Sequence, residues 1–260
     1  MAEYLEVEEA RGRSGLRLVL TPGVPGPWGE AAKGLFHAKR VPFARVRQRP
    51  GLPDPALRDW TGCDNAPVAV YEQERPRSVW SEIISLAERL APEPRLVPPE
   101  PAERSRMFGL CHEICGESGL GWLRRLMIFH EVLSRPEDVD SPAGQIVAGL
   151  GRKYGYDPTA AEAAPGRVAG ILELLAARLR EQRGRGSRFF VGQQLSALDI
   201  YWAAFAAMVL PLPQEQCPMP ELIRRHYELR DPTARAAANP ILLEHRDFIY
   251  GEYLELPLDL

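Results

Sequence analysis

The sequence predicts a small mixed α/β domain followed by a larger all-α domain, and three observations carry that reading. Short apolar runs alternate with helical patterns as far as residue 91, residues 92–101 (PEPRLVPPEP) hold five prolines in ten positions, and beyond them repeated strand patterns are absent. Strands bury residues with a period of two and helices with a period near 3.6, so a lasting change of pattern marks a change of architecture. A proline-rich stretch is a semi-rigid surface connector and a natural boundary. The chain is therefore divided into a polar, mobile leader (1–15), the mixed domain (16–91), the linker (92–101) and the helical domain (102–260).

Leu16 to Thr21 (LRLVLT) is a short apolar run stopped by a proline-glycine cluster, as a buried strand would be. The turn Pro22 to Pro27 can continue neither strand nor helix. From Trp28 the pattern turns helical, with Ala31, Leu35 and Ala38 on one face, and Pro27 suits the first turn because its missing N–H is not needed there. Pro42 closes that helix, and Phe43 to Gln48 alternates like a second strand. A short helix near Trp60 precedes a third strand over Asn65 to Tyr71. Residues 72–77 read as a charged hairpin leading to a fourth strand, and Ser81 to Leu90 is an amphipathic helix. Helices are expected near 102–117, 119–135, 165–183, 197–209 and 240–254.

Composition excludes several functions. With 260 residues, a net charge of -3, 45% apolar and 26% charged residues, the chain has an ordinary globular balance. It lacks the basic surplus of nucleic-acid binders. No apolar run approaches the roughly 18 residues of a membrane span. Glu3, Glu6, Glu8 and Glu9 stand where a signal peptide would be basic and then apolar. Cys63, Cys111, Cys115 and Cys217 are too few and too scattered for a secreted disulfide framework. A cytoplasmic protein with no nucleic-acid or membrane partner is expected. Cys111 and Cys115 stand four apart on a helix without a second ligand cluster, which favours core or pocket-lining cysteines over zinc, so no metal is expected.

Three segments point further. LFHAKRVPFARV (Leu35 to Val46) joins an amphipathic helix to a strand through a basic residue and a β-branched one. Ala66-Pro67 introduces the strand Val68-Ala69-Val70. A cis bond there would turn the backbone of Ala66 outward, so that it could pair with a peptide ligand as an added strand would. The strongest segment is Phe190 to Asp199 (FVGQQLSALD), in which Ser196 and Asp199 form a capping box and Leu195 is placed as the hydrophobic staple. Together these segments resemble the cytosolic glutathione S-transferases, over nearly the whole span from Leu16 to about Leu254. The resemblance implies a thioredoxin-like N-terminal domain that binds glutathione, and an all-helical glutathione-transferase-type C-terminal domain. It also implies a pocket for a small hydrophobic electrophile, and a homodimer.

On that resemblance, glutathione as cosubstrate would meet Trp28, Ala66, Pro67, Trp80 and Ser81, and the hydrophobic substrate would lie against Phe108, Cys111 and Trp122. Two positions depart from the pattern. Gly26 stands where the cysteine-type branch carries its nucleophile, which leaves Thr21 as the nearby hydroxyl and the catalytic candidate. Trp80 replaces the acidic residue or glutamine that relatives often carry before the serine, and an indole cannot accept from an ammonium group. Ser81 itself reads either as a ligand contact at a helix start or as a plain N-cap, and Trp28 either lines the pocket or staples the first helix. Two functions follow: a glutathione-dependent transferase, or a module that keeps the fold for binding or dimerisation without the chemistry.

Overall fold

A computed structural model describes residues 3–135 and 139–260; Met1 and Ala2 of the leader and residues 136–138 of the helical domain lie outside it. Strand β1 (Leu16–Leu20) is the centre of a three-stranded sheet. It pairs in parallel with β2 (Phe43–Arg47), Leu16 opposite Phe43, and antiparallel with β3 (Val68–Tyr71), Leu16 opposite Tyr71. All five β1 residues are buried, as in a central strand covered on both faces, and the one charged side chain among them, Arg17, donates to the Gly15 and Glu72 carbonyls. Leu16, Leu18 and Leu20 face one core, and Val19 faces the other with Val46, Val68 and Val70.

Helix α2 (Pro27–Ala38) crosses from β1 to β2. Helix α3 (Pro55–Thr61) starts where Asp54 accepts from the Leu57 amide at 3.0 Å, and α4 (Trp80–Leu90) follows the sheet. Two expectations need correction. The leader is not loose: Leu5 bridges to Val46, and α1 (Val7–Arg11) buries Val7 and Ala10 beneath the sheet. Three apolar residues among the glutamates are enough to anchor it. The fourth strand shrinks to one bridge, Ala69 to Arg77. Pro76 has no N–H to donate, and α4 begins only three residues beyond Arg77.

Among the described residues, every regular element after residue 100 is helical. Helix α5 (Pro101–Cys115) is capped by the Glu100 carboxylate, and α6 (Leu120–Leu133) follows it. Helix α7 (Pro142–Lys153) was not expected from the sequence. Its start is marked by Ser141, whose hydroxyl accepts from the Gly144 amide at 3.0 Å, with Pro142 in the first turn. Helix α8 (Pro158–Gly184) begins about two turns before the expected residue 165, because Asp157 and Pro158 supply the cap and the first-turn proline. Pro165 lies inside it, in a helix held by the burial of Ala161, Ala164 and Val168.

Helix α9 (Ala197–Phe205) is buried along its whole length and continues as a 3₁₀ turn over Ala206–Met208. Short helices α10 (Glu221–Tyr227) and α11 (Pro232–Ala236) lead to α12 (Pro240–Tyr253). Two glycines let α9 pack at backbone distance. A Cβ on Gly34 of α2 would stand 2.8 Å from the Ile200 side chain, and one on Gly121 of α6 only 2.3 Å from Phe205. These close crossings join the mixed and helical parts into one continuous core. No helix of the described residues is long and apolar enough to cross a membrane.

Candidate functional site

A cavity of about 310 Å³ opens between the two parts of the molecule. Leu20 and Gln48 reach it from the C-terminal ends of the parallel strands β1 and β2, and Trp28, Gly29 and Glu30 from the first turn of α2. In α/β proteins this is where ligands bind, because strand ends leave a crevice and a helix N-terminus offers unpaired amides and a positive dipole end. Gly26 caps α2 without a side chain, and Pro27 has no N–H. The Glu30 amide already bonds the Gly26 carbonyl at 2.9 Å, so the amides of Trp28 and Gly29 are the free donors of that turn.

Ala66 forms part of the same wall, ahead of a cis bond to the buried Pro67. The opposite wall is helical: Arg125, Ile128 and Phe129 from α6, then Val147 and Leu150 from α7, with Tyr154 just beyond its end. Trp28 stands at the junction. Its indole N–H donates to the Cys115 carbonyl at 2.9 Å, its ring meets Phe205 edge-on at 4.8 Å, and the Arg125 guanidinium lies 4.4 Å from its centroid. Trp28 thus lines the cavity and also ties α2 to the helices.

Thr21 lines the cavity, but its proton is already engaged. The hydroxyl donates to Gln48 Oε1 at 2.6 Å, and Gln48 Nε2 donates to the Asp64 carbonyl at 3.2 Å, which fixes the amide with its oxygen toward Thr21. A hydroxyl whose proton is held this way has none to offer a thiolate. A larger cavity of about 590 Å³ lies on the far side of α2, against Phe43, Tyr250 and Leu258, away from the strand ends. Glu30 borders both cavities. Burial pushes its carboxyl above the ordinary range, and the Lys33 ammonium at 3.0 Å opposes that rise.

The remaining candidate residues are placed elsewhere. Trp80 packs 6.0 Å from Phe108 and 6.0 Å from Tyr201, at the start of α4 and outside the lining of the strand-end cavity. Ser81 is the second residue of α4, not its cap, because the N-cap is Val79; it too lies outside that lining. Phe108, Cys111 and Trp122 do not share a pocket. Phe108 borders a shallow cleft beside Ser85 and Arg89, and Cys111 is fully buried. Trp122 stands behind the cavity wall, 5.5 Å from the Arg125 guanidinium. The helical phase of α5 explains the difference: Met107, Cys111, Ile114 and Cys115 form its core face.

Burial, with the Asp199 carboxylate nearby, pushes the Cys111 thiol well up, and burial with Cys111 does the same for Cys115. Neither supplies a thiolate. No group of three His, Cys, Asp or Glu among the described residues is placed to hold a metal ion.

Asp199 has a different task at the start of α9. Its carboxylate accepts from the Ser196 amide at 2.9 Å, the Ser196 hydroxyl at 2.6 Å and the Phe190 amide at 3.0 Å, with His245 Nε2 at 2.9 Å. This capping box is buried and holds α9, against which α2, α5 and α12 pack. The site residues that sequence reasoning missed are Gln48 and the faces of α6 and α7. An arginine set within the apolar run of LRRLMIFH, three and four residues before Ile128 and Phe129, was the available signal for α6.

No family profile matches the sequence, and no curated protein matches it. Solved structures do. A glutathione S-transferase from Methylobacterium radiotolerans, solved with glutathione sulfonate, is 18% identical with a TM-score of 0.58, over 91% of this chain and 91% of that one. Glutathione transferase Omega 3C from Trametes versicolor is 16% identical with a TM-score of 0.57, over 95% and 89%. A beta-etherase from a Sphingobium strain is 14% identical with a TM-score of 0.58, over 90% and 99%.

Proposed function

Starting from a chain with the fold of the glutathione transferases, a thioredoxin-like domain and a helical one, we propose that it binds glutathione in the strand-end cavity and transfers it to a small hydrophobic electrophile. The observation that carries this reading is the meeting, on one cavity, of the α2 N-terminus and of Ala66, just before β3. The backbone of Ala66 suits pairing with a peptide such as glutathione. Similarity to a structure that holds glutathione sulfonate supports the same choice. Gln48 adds a polar neighbour for the ligand on the same lining.

When bound, glutathione supplies a nucleophilic thiol. The chain's part is electrostatic: the free amides of Trp28 and Gly29, at the positive end of α2, favour the thiolate over the thiol. Thr21 contributes by holding Gln48 in place, not by donating to sulfur. Ile128, Phe129, Val147 and Leu150 offer an apolar wall for the acceptor carbon. Attack by the thiolate forms the sulfur–carbon bond, and either a leaving group departs or the adduct takes a proton from water. Mixed-disulfide chemistry at this turn is excluded by Gly26. A cytoplasmic homodimer completes the proposal; the free cysteines suit a reducing compartment.

A second reading, a binding module without catalysis, is favoured by the same Gly26 and by the engaged Thr21 hydroxyl. Retention on immobilised glutathione, with elution by the free ligand, tests the binding common to both. Protein-dependent consumption of glutathione thiol by an electrophile then separates them: consumption above the uncatalysed rate supports the transferase, and its absence supports the module.

A further inference from the structure

Arg124 and Arg125 are neighbours on α6 with opposite fates. Arg124 is buried and firmly engaged: Nε donates to the Met208 carbonyl at 2.7 Å, and Nη2 reaches the carbonyls of His226, Tyr227 and Glu228 at 3.2–3.3 Å. Arg125 turns to the strand-end cavity and has no hydrogen bond or ion pair to any described residue. Three aromatic rings surround it instead. Its guanidinium carbon lies 4.4 Å from the Trp28 centroid, 5.5 Å from Trp122 and 4.2 Å from Tyr154.

Such rings attract the charge and hold the side chain still, but they provide no oxygen acceptor for its five N–H groups. Burial lowers the guanidinium pKa, opposed by the phenols of Tyr154 and Tyr227, yet arginine stays charged at neutral pH. The other charges of the lining are already paired. Lys153 meets Asp64 at 2.6 Å, and Glu30 meets Lys33 at 3.0 Å. Among the described residues, the cavity therefore keeps one uncompensated cation, fixed in orientation, at the edge of an apolar trough made by Ile128, Phe129, Val147 and Leu150.

We propose that Arg125 is the anion-binding residue of this cavity, holding the carboxylate of an apolar acid whose hydrocarbon body lies along that trough. The second substrate is then an aromatic or aliphatic carboxylate and not a neutral electrophile. The inference deepens the reading of the cavity as the acceptor site, but its binding step does not need glutathione. A planar guanidinium pairs with a carboxylate through two parallel hydrogen bonds, whereas a neutral amide of the same shape keeps at most one acceptor.

The test uses 4-phenylbutyrate and 4-phenylbutyramide as probes of equal size, titrated into the full chain without glutathione and read by tryptophan fluorescence, with Trp28 and Trp122 beside the site. The unmodified protein is expected to bind the carboxylate at least tenfold more tightly than the amide. Arg125→Gln should remove that preference, leave the amide's affinity unchanged and keep the parent's melting temperature. Should Arg125→Gln fail to fold, Ile128→Asp serves in its place. It sets a carboxylate three residues from Arg125 on the same helix, where it pairs with the guanidinium and should abolish the preference.

Equal affinity for the two probes in the parent would overturn the proposal, as would a carboxylate preference that survives the substitution. An Arg125→Gln variant that loses glutathione affinity but keeps phenylbutyrate would assign the guanidinium to a glutathione carboxylate, and would also overturn it. Carboxylate preference without any glutathione binding would uphold the anion site while refuting the proposed transferase.

Discussion

Replacing Asp199 with alanine is the perturbation for which the structure gives the clearest magnitude. The residue is fully buried, and its carboxylate is the acceptor for two backbone amides, those of Phe190 and Ser196. Neither amide can reach water once the side chain is gone. At ~1–3 kcal/mol for each orphaned buried donor, the two amides alone cost about 4 kcal/mol. The unsupported His245 nitrogen and Ser196 hydroxyl add to that. With a urea dependence of ~3 kcal/mol per molar, the unfolding midpoint should fall by roughly 1.3 M. Circular dichroism in a urea titration reads this directly. Ser196→Ala removes one hydroxyl and leaves both amides paired, so its midpoint should fall by only ~0.3 M, the size of an ordinary cap. Asp199→Asn keeps one acceptor oxygen and should fall between the two. An Asp199→Ala midpoint no lower than that of Ser196→Ala would refute the reasoning, because it would mean that the buried carboxylate does not hold the loop to α9.

Other expectations follow from the same geometry. Gly26 has a negative φ and open space where a Cβ would stand, so Gly26→Cys should fold normally. Its thiolate, favoured by the helix end, should attack oxidised glutathione, release one glutathione thiol and leave an adduct visible by intact mass. In a Cys63→Ser background the parent should show no adduct, since Cys111, Cys115 and Cys217 are buried; an unreactive Gly26→Cys variant would argue against a positive, accessible helix end. Thr21→Val should cost ~1 kcal/mol through the unpaired Gln48 oxygen and change glutathione affinity less than about twofold; a tenfold loss of affinity would place the hydroxyl against the sulfur. Asp64 is held below the usual carboxylate range by hydrogen bonds from Lys153 and Arg58. Its contribution to stability is therefore present above the ordinary aspartate pKa of ~3.9 and lost as pH falls through the lower folded value. Asp64→Asn should flatten the acid limb of melting temperature against pH, and parallel limbs for variant and parent would contradict the assignment.

The fold was legible because its signals are local. Pro27 at the start of α2, the alternation over Phe43 to Arg47, and the Ser196–Asp199 box each act within one turn or one strand. The leader was misread because Leu5, Val7 and Ala10 are few and lie among glutamates, and only the sheet above them shows that they are covered. Helix α7 was missed although Ser141-Pro142 is a sound start, and Asp157-Pro158 marked the true beginning of α8. Much of the cavity was illegible for a further reason. Gln48, Ala66, Arg125 and Leu150 meet only through the packing of α6 and α7 against the strand ends, and no spacing along the chain encodes that meeting. Cys111 illustrates the converse: helical spacing put it on a face, but only the position of α9 decides that this face is core.

The central claim, that the strand-end cavity is a glutathione site, is tested most directly by isothermal titration of the full chain with glutathione, beside a Gly26→Trp variant. Gly26 borders the cavity, has room for a Cβ and lies outside the buried core, so an indole there should fill the site without disturbing the fold. The account predicts saturable binding of one glutathione per chain, competed by glutathione sulfonate, and no binding in Gly26→Trp at an unchanged melting temperature. No saturable heat with the parent, or equal binding by the folded blocked variant, would contradict it.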